Sequence, residues 1–397
     1  DGTMLSDDRA GVGYKGTIND RLTAAGEVSY GDQGPDVKAS LDFARTADDH
    51  YTLGYNRNAY RSTGPGYPYL LNGSDLGTIT LGDKRKFNDQ WSGFAETSYD
   101  YFGARQSLAN AYGVSYTPDD KWKIDAAAQV GQVYDYTINT GTGLKNPNIY
   151  RDALSVSAVY HDKAGLDGKA KGEVRWDYAD DGSSEIMSYL LQLGLGYKMN
   201  KDWRALANLD LVWSDASNST LSSALINGTV GFAYRPADND RVNALVKTNF
   251  VYDAPGSGQV TLDGTTTSPQ QISLIFSGDV NYNVTEKLTL GGKLGFRVGE
   301  ILDRSVPGAV WTPDAAYLGI VRADYHVVKA WDVLAEARML WSPTSNSTDI
   351  GFVAAIYRQV GENFKVGLGY NFGNFSDNLA QIAHDNHGVF INMVCTF

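Results

Sequence analysis

The sequence predicts an all-β fold, a transmembrane up-and-down antiparallel β-barrel of about 20 to 22 strands. Three observations predict it. Apolar and polar residues alternate with period two along many segments of roughly ten to twelve residues, the length that crosses a bilayer when tilted. Tryptophans open and close the apolar face of some of these segments. Short polar turns alternate with long loops along the chain.

The alternation is clearest from Leu288 to Val298. Leu288, Leu290, Leu294, Phe296 and Val298 share one face with Gly292, and Thr289, Lys293 and Arg297 share the other. A strand sends successive side chains to opposite faces, so one face can meet lipid and the other water. Ala170, Val174, Trp176 and Tyr178 alternate in the same way with Lys169, Lys171, Glu173, Arg175 and Asp177. Ala205, Ala207, Leu209 and Leu211 alternate with Arg204, Asn208 and Asp210, and Val333, Ala335, Ala337 and Met339 alternate with Asp332, Glu336 and Arg338.

The last two segments are bounded by Trp203 and Trp213 and by Trp331 and Trp341. Two aromatic rings about 25 Å apart are what the two membrane interfaces favour. A water-soluble sandwich has no reason for that spacing. Trp91, Trp122, Phe364 and Phe397 are placed in the same interfacial class, the first three because each follows a short polar turn. Those turns are Asn88-Asp89-Gln90, Pro118-Asp119-Asp120-Lys121 and Gly361-Glu362-Asn363, and Asn200-Lys201-Asp202 and Lys329-Ala330 precede Trp203 and Trp331. They form a degenerate internal repeat and read as one rim, the periplasmic one. Longer loops are expected near 61–75, 135–150, 253–268, 300–314 and 373–386, on the external rim. Ser376 to Ala383 could form a short helical turn there.

Counting segments gives about 21 strands, the first over Arg9 to Ile18 and the last over Val389 to Phe397. Single-chain bacterial barrels favour even numbers. The expectation is one barrel domain over 1–397, with a strand or region ahead of Asp1 in the natural protein.

Composition agrees. The 397 residues include 25 Tyr, 8 Trp and 43 Gly but only 11 Pro. Mean hydropathy is −0.32, and no apolar run approaches the roughly 18 residues of a membrane helix. A net charge of −12 argues against a nucleic-acid partner. Cys395 is the single cysteine, so no internal disulfide or cysteine zinc cluster can form. No cofactor is expected. The expected partners are outer-membrane lipid and lipopolysaccharide, with an upstream domain or a partner protein in the lumen.

Three phrases carry a resemblance. They are Ala111-Tyr112-Gly113-Val114-Ser115-Tyr116-Thr117-Pro118-Asp119, then Ala233-Tyr234-Arg235-Pro236 running through Ala237 into Asp238 to Leu245, then Gly369 to Leu379. From about residue 80 onward the chain resembles the C-terminal outer-membrane barrel of very large repeat-containing proteobacterial surface proteins. The resemblance implies a bacterial outer-membrane location and an upstream region. The upstream repeats themselves are not in this chain.

The expected lumen carries both charge signs. Lys169, Lys171, Glu173, Arg175, Asp177, Arg204, Asp210, Lys293, Arg297, Arg322, Asp324, Glu336 and Arg338 are its candidate lining, with Arg358 and Lys365 as further basic candidates. Charges in such a wall must be paired or wet. They are read as cross-strand ion pairs bracing the wall, with a solute-selective constriction as the functional alternative. His326 is read as part of that polar network. His384-Asp385-Asn386-His387 could hold a divalent metal but is read as a solvated loop tip, so no metal site is assigned. Ser155 and Ser157 have no assignable histidine, and no Gly-x-Ser-x-Gly elbow occurs, so no catalytic residue is assigned.

The functional expectation is a transmembrane conduit and membrane anchor, plugged or gated by upstream chain or a partner. Candidate plugs are that upstream chain and the compact Gly64 to Tyr69 stretch. The alternatives are an open diffusion porin and an outer-membrane barrel enzyme of lipase or protease type.

Overall fold

The computed structural model describes residues 10–395 except 32–33, 58–76, 101–104, 137, 139–140, 218–221, 240, 255–268, 304–305, 307, 329, 361–363, 374–378 and 380–387. Within them the chain forms 21 strands in one sheet. The first seven are β1 (Ala10–Asn19), β2 (Leu22–Gly31), β3 (Gly34–Thr46), β4 (Asp49–Arg57), β5 (Thr78–Lys86), β6 (Trp91–Asp100) and β7 (Arg105–Tyr116). The next seven are β8 (Trp122–Asp135), β9 (Ile149–His161), β10 (Leu166–Ala179), β11 (Glu185–Lys198), β12 (Trp203–Ala216), β13 (Ser223–Tyr234) and β14 (Val242–Ala254). The last seven are β15 (Gln270–Asn283), β16 (Leu288–Leu302), β17 (Thr312–Val328), β18 (Trp331–Ser342), β19 (Ser347–Val360), β20 (Phe364–Asn371) and β21 (Gly388–Cys395).

Each strand pairs antiparallel with the next in sequence, from β1–β2 through β20–β21. This is the up-and-down wall that the alternation predicts. The first and last strands begin within one residue of the expected positions, at Ala10 and Gly388.

The connections fall into two classes. Every odd strand joins the following even strand by a short turn, of which Asp20-Arg21 and Ala47-Asp48 are the shortest kind. The long connections all join an even strand to an odd one: 58–77, 136–148, 255–269, 303–311 and 372–387. All five match expected loops. Odd strands therefore run from the long-connection rim to the short-turn rim, and even strands run back.

The short turns are built by side chains. Asn88 Oδ1 accepts from the backbone N–H of Gln90 and Trp91, both at 2.9 Å. Asp119 does the same for Lys121 and Trp122, and Asn200 for Asp202 and Trp203. Thr285 repeats the pattern for Lys287 and Leu288. A short polar side chain satisfies the amides that the turn removes from the ladder. The following residue is thereby set at the start of the outer face.

The faces segregate as the alternation requires. All eight tryptophans are exposed, Trp203, Trp213, Trp331 and Trp341 at 43, 42, 43 and 44%. Leu290, Leu294, Phe296 and Val298 lie on that same outer face, whereas Arg297 between the last two is 3% exposed. In water this would turn the hydrophobic effect inside out. Against hydrocarbon it is the stable arrangement.

Candidate functional site

The candidate site is the inner face of the wall, set by the parity of each strand. Strand pairing brings together the aromatic groups on the outer face and the charges on the inner one.

On the outer face, two aromatic rings form. At the short-turn rim, Trp91 stacks on Tyr116 with centroids 4.4 Å apart, and Trp122 and Trp203 meet Tyr160 and Tyr234 at 4.8 Å. Trp331 carries the Arg358 guanidinium 5.4 Å from its ring centroid. At the other rim, Trp213 stacks on Tyr189 at 4.8 Å and Trp341 on Tyr317 at 5.1 Å. Trp176 donates its indole N–H to Glu185 at 2.9 Å. An amphipathic ring with a wet polar tip suits this depth. Phe364 opens β20 as expected, but its side chain lies outside the described residues, as does Phe397.

Arg358 corrects the sequence reading. It is in register with Trp331 and shares the outward parity of Phe352 and Ile356. It is not a lumen residue but an interfacial cation, its stem on apolar surface and its head at the rim.

On the inner face, ion pairs link neighbouring strands, next-but-one strands or successive inward positions. Asp177, 1% exposed at its side chain, takes Arg151 Nε at 2.5 Å and Arg175 Nε at 2.9 Å. Lys171 meets Glu173 at 2.9 Å, Arg322 meets Asp324 at 3.0 Å, and Arg338 pairs with Glu336. Arg204 reaches Asp167 at 3.2 Å, and Asp210 accepts from Gln192 at 3.0 Å. His326 Nδ1 lies 2.6 Å from Asp332, whose other oxygen takes Lys365 at 2.7 Å. Lys169 and Lys293 have the same inward parity. A Cβ at Gly194 would collide with Lys169, so that glycine gives the lysine stem its room along the wall.

The inner face is not uniform along its length. Among the described residues, every buried non-glycine residue except Asp49 lies near a strand midpoint, toward the long-connection rim, or in loop 372–387. Val133, Ile149 and Ala179 form one inward cluster at that end of β8, β9 and β10. Val251, Ile275, Ala316, Leu318, Ile320 and Leu340 form a second on β14, β15, β17 and β18. Toward the short-turn rim, inward Lys123, Lys169, Arg204 and Asn243 are exposed. Among the described residues the inner wall is therefore buried toward the long-connection rim and exposed toward the short-turn rim.

Leu379, from the connection between β20 and β21, completes the second cluster at 5% exposure. Its carbonyl accepts from Arg297 Nη1 at 3.2 Å. Arg297 also donates to Gln271 at 2.9 Å and pairs with Asp314 at 2.7 Å. A Cβ at Gly295 would press on Leu379 at 2.8 Å, so a bare backbone on β16 admits the leucine. The sequence reading gave Ser376 to Ala383 as a short helical turn in an external loop. Leu379 lies in that long connection and packs on the inner wall, and the other residues of the segment lie outside the described ones.

The Gly64 to Tyr69 stretch and His384 to His387 also lie outside the described residues. Among those described, no group of His, Cys, Asp and Glu is placed to hold a metal. Arg297 is one of the lumen charges expected from sequence, and the structure buries it. The signal that could have marked Leu379 is faint, a leucine in a polar connection.

No family model and no curated protein matches the chain. Solved structures do. The ferric enterobactin receptor PfeA of Pseudomonas aeruginosa superposes with a TM-score of 0.56 at 11% identity, over 97% of this chain and 78% of that one. The siderophore receptor PirA of the same organism gives 0.53 at 12% identity, over 98% and 76%. The ferric citrate transporter FecA gives 0.51 at 12%, over 97% and 73%. The chain has the fold of bacterial outer-membrane β-barrels.

Proposed function

We propose that this chain is a transmembrane conduit and anchor in the bacterial outer membrane, plugged or gated at its external end, where Leu379 of the β20–β21 connection seats on the inner wall. The observation that carries the reading is the seating of Leu379 on the inner wall, clamped by Arg297 and surrounded by buried apolar side chains. An open aqueous pore has no use for a buried apolar patch on its inner wall. A gate does, because an apolar contact can be released as a unit. The exposed outer face and the two aromatic rings support the membrane placement. The three phrases quoted above support the finer reading, that the barrel is the anchoring end of a long surface protein of the repeat-containing class. The partners are then the lipid and lipopolysaccharide around the wall, and protein on its wet side.

Planar-bilayer conductance tests this. The native chain is expected to pass little steady current. Leu379→Lys, or removal of residues 374–386, is expected to raise conductance severalfold, because a second cation cannot rest beside Arg297 on that shelf. Large steady currents from the unaltered chain would establish the open diffusion porin instead.

A further inference from the structure

Strand pairing fixes which side chains the outer face must place in hydrocarbon. Among the described residues of β10 to β21, outward positions between the two aromatic rings are apolar, aromatic or glycine, Thr248 excepted. One sector departs from this. Thr97 on β6 and Asn110 on β7 pair with each other and share the outward parity of Trp91 and Tyr116. Asn110 lies at the middle of its strand, far from either rim. Asp83 and Arg85 on β5 have the same parity, but they lie within two outward steps of the short-turn rim, where headgroups solvate them.

The Asn110 carboxamide is only half satisfied. Thr97 Oγ1 donates to its Oδ1 at 2.8 Å, and among the described residues nothing accepts from its Nδ2. Two N–H groups left bare in hydrocarbon are costly, and an acyl chain offers them no acceptor. The relief around them is ordered. Two successive outward rows cross β6, β7, β8 and β9, one as Gly93, Val114, Ala126 and Val156, the other as Ala95, Tyr112, Ala128 and Leu154. Both read small, large, small, large. The large residues stand exposed. The small ones floor an open groove of about 460 Å3 between them.

We infer that the outer face of β6 to β9 docks a second copy of the same chain, about a two-fold axis that runs along the membrane normal between β7 and β8. Charge complementarity selects this occupant. A carboxamide is donor and acceptor at once, so its partial charges are complementary to those of an identical group turned through the axis. Asn110 next to the axis donates to the partner's Asn110 and accepts from it. The relief obeys the same operator. Rotation sets β7 against β8 of the other copy and β6 against β9, so each large row lies on a small one. Small residues that allow close approach, with a polar group between them, are what joins protein surfaces inside a membrane. The inference rests on the membrane-barrel reading, but not on the closed gate.

The test uses the protein in outer membranes, with Cys395→Ser to remove the native thiol. Asn110→Cys is compared with Leu294→Cys, an exposed outward position on β16. Under copper-phenanthroline oxidation, Asn110→Cys is expected to give a disulfide-linked species of twice the chain mass, and Leu294→Cys none. Asn110→Leu suits a lipid-facing wall but removes the pairing group. It is expected to weaken association about tenfold in sedimentation from detergent micelles. Ala128→Trp, which fills the groove, is expected to do the same, with the barrel still folded. Cross-linking of Asn110→Cys no better than that of Leu294→Cys would overturn the proposal. So would undiminished association of Asn110→Leu, or a cross-linked species of another mass, which would show a different protein on this face. Aqueous maleimide separates the two readings. Labelling of both cysteines would sink the membrane barrel and this contact with it, whereas two shielded cysteines without a cross-link would sink the contact alone.

Discussion

Arg297 is the residue on which most of the inner shelf depends. Its guanidinium is 4% exposed and holds a carboxylate, an amide oxygen and the Leu379 carbonyl at once. Arg297→Ala leaves Asp314 without its cation and Leu379 without its clamp. The expected loss is about 3 kcal/mol in urea unfolding from lipid vesicles, the usual cost of breaking a buried pair from one side. At the short-turn rim, Asp162 behaves differently because it is in water. The Ala164 backbone N–H, and then the Lys121 ammonium, hold its carboxyl below the usual range. Lys121 is correspondingly raised, chiefly by the charge of Asp162. The contribution of Asp162 is therefore present above the ordinary carboxylate pKa and is lost as pH falls through the depressed one. That of Lys121 is present below the ordinary lysine value and is lost as pH climbs through the raised one. Asp162→Asn is expected to flatten the fall in melting temperature on acidification below about pH 4. An unchanged acid limb would contradict this.

At the scale of elements, period two was legible because lipid and water ask for opposite side chains at adjacent positions. Leu294 and Lys293 show it. Leu294→Lys is expected to cost about 2 to 4 kcal/mol in the same unfolding assay, the penalty of a cation on a lipid face near the midplane, and Lys293→Leu clearly less. The turns were legible too, because Asn88, Asp119 and Asn200 each cap the amides ahead of a tryptophan. Asn200→Ala is expected to cost about 1 to 2 kcal/mol through two lost hydrogen bonds. Thr285 makes the same cap but precedes leucine, so it escaped a pattern keyed on aromatics. Arg358 was misplaced because charge at a rim obeys no face preference: a long side chain reaches water from either side. The partners of each lumen charge, such as Arg151 for Asp177, needed the strand register. So did Leu379, whose position depends on a bare Gly295 on β16, far away in sequence.

For the molecule as a whole, the outer face settles where it lives, and the gradient along the inner face suggests what it does. A wall with apolar shelves at the long-connection end and exposed Lys169 and Arg204 at the other is asymmetric across the membrane. The proposed external closure rests on that asymmetry.

Everything rests on the outer face being in contact with hydrocarbon, and tryptophan fluorescence in vesicles tests that contact directly. All eight tryptophans are exposed on the structure. Lipids brominated near the headgroup end of the acyl chain are expected to quench most of the emission, while aqueous iodide quenches little. Emission that responds to iodide and ignores brominated lipid would place those rings in water and contradict the account.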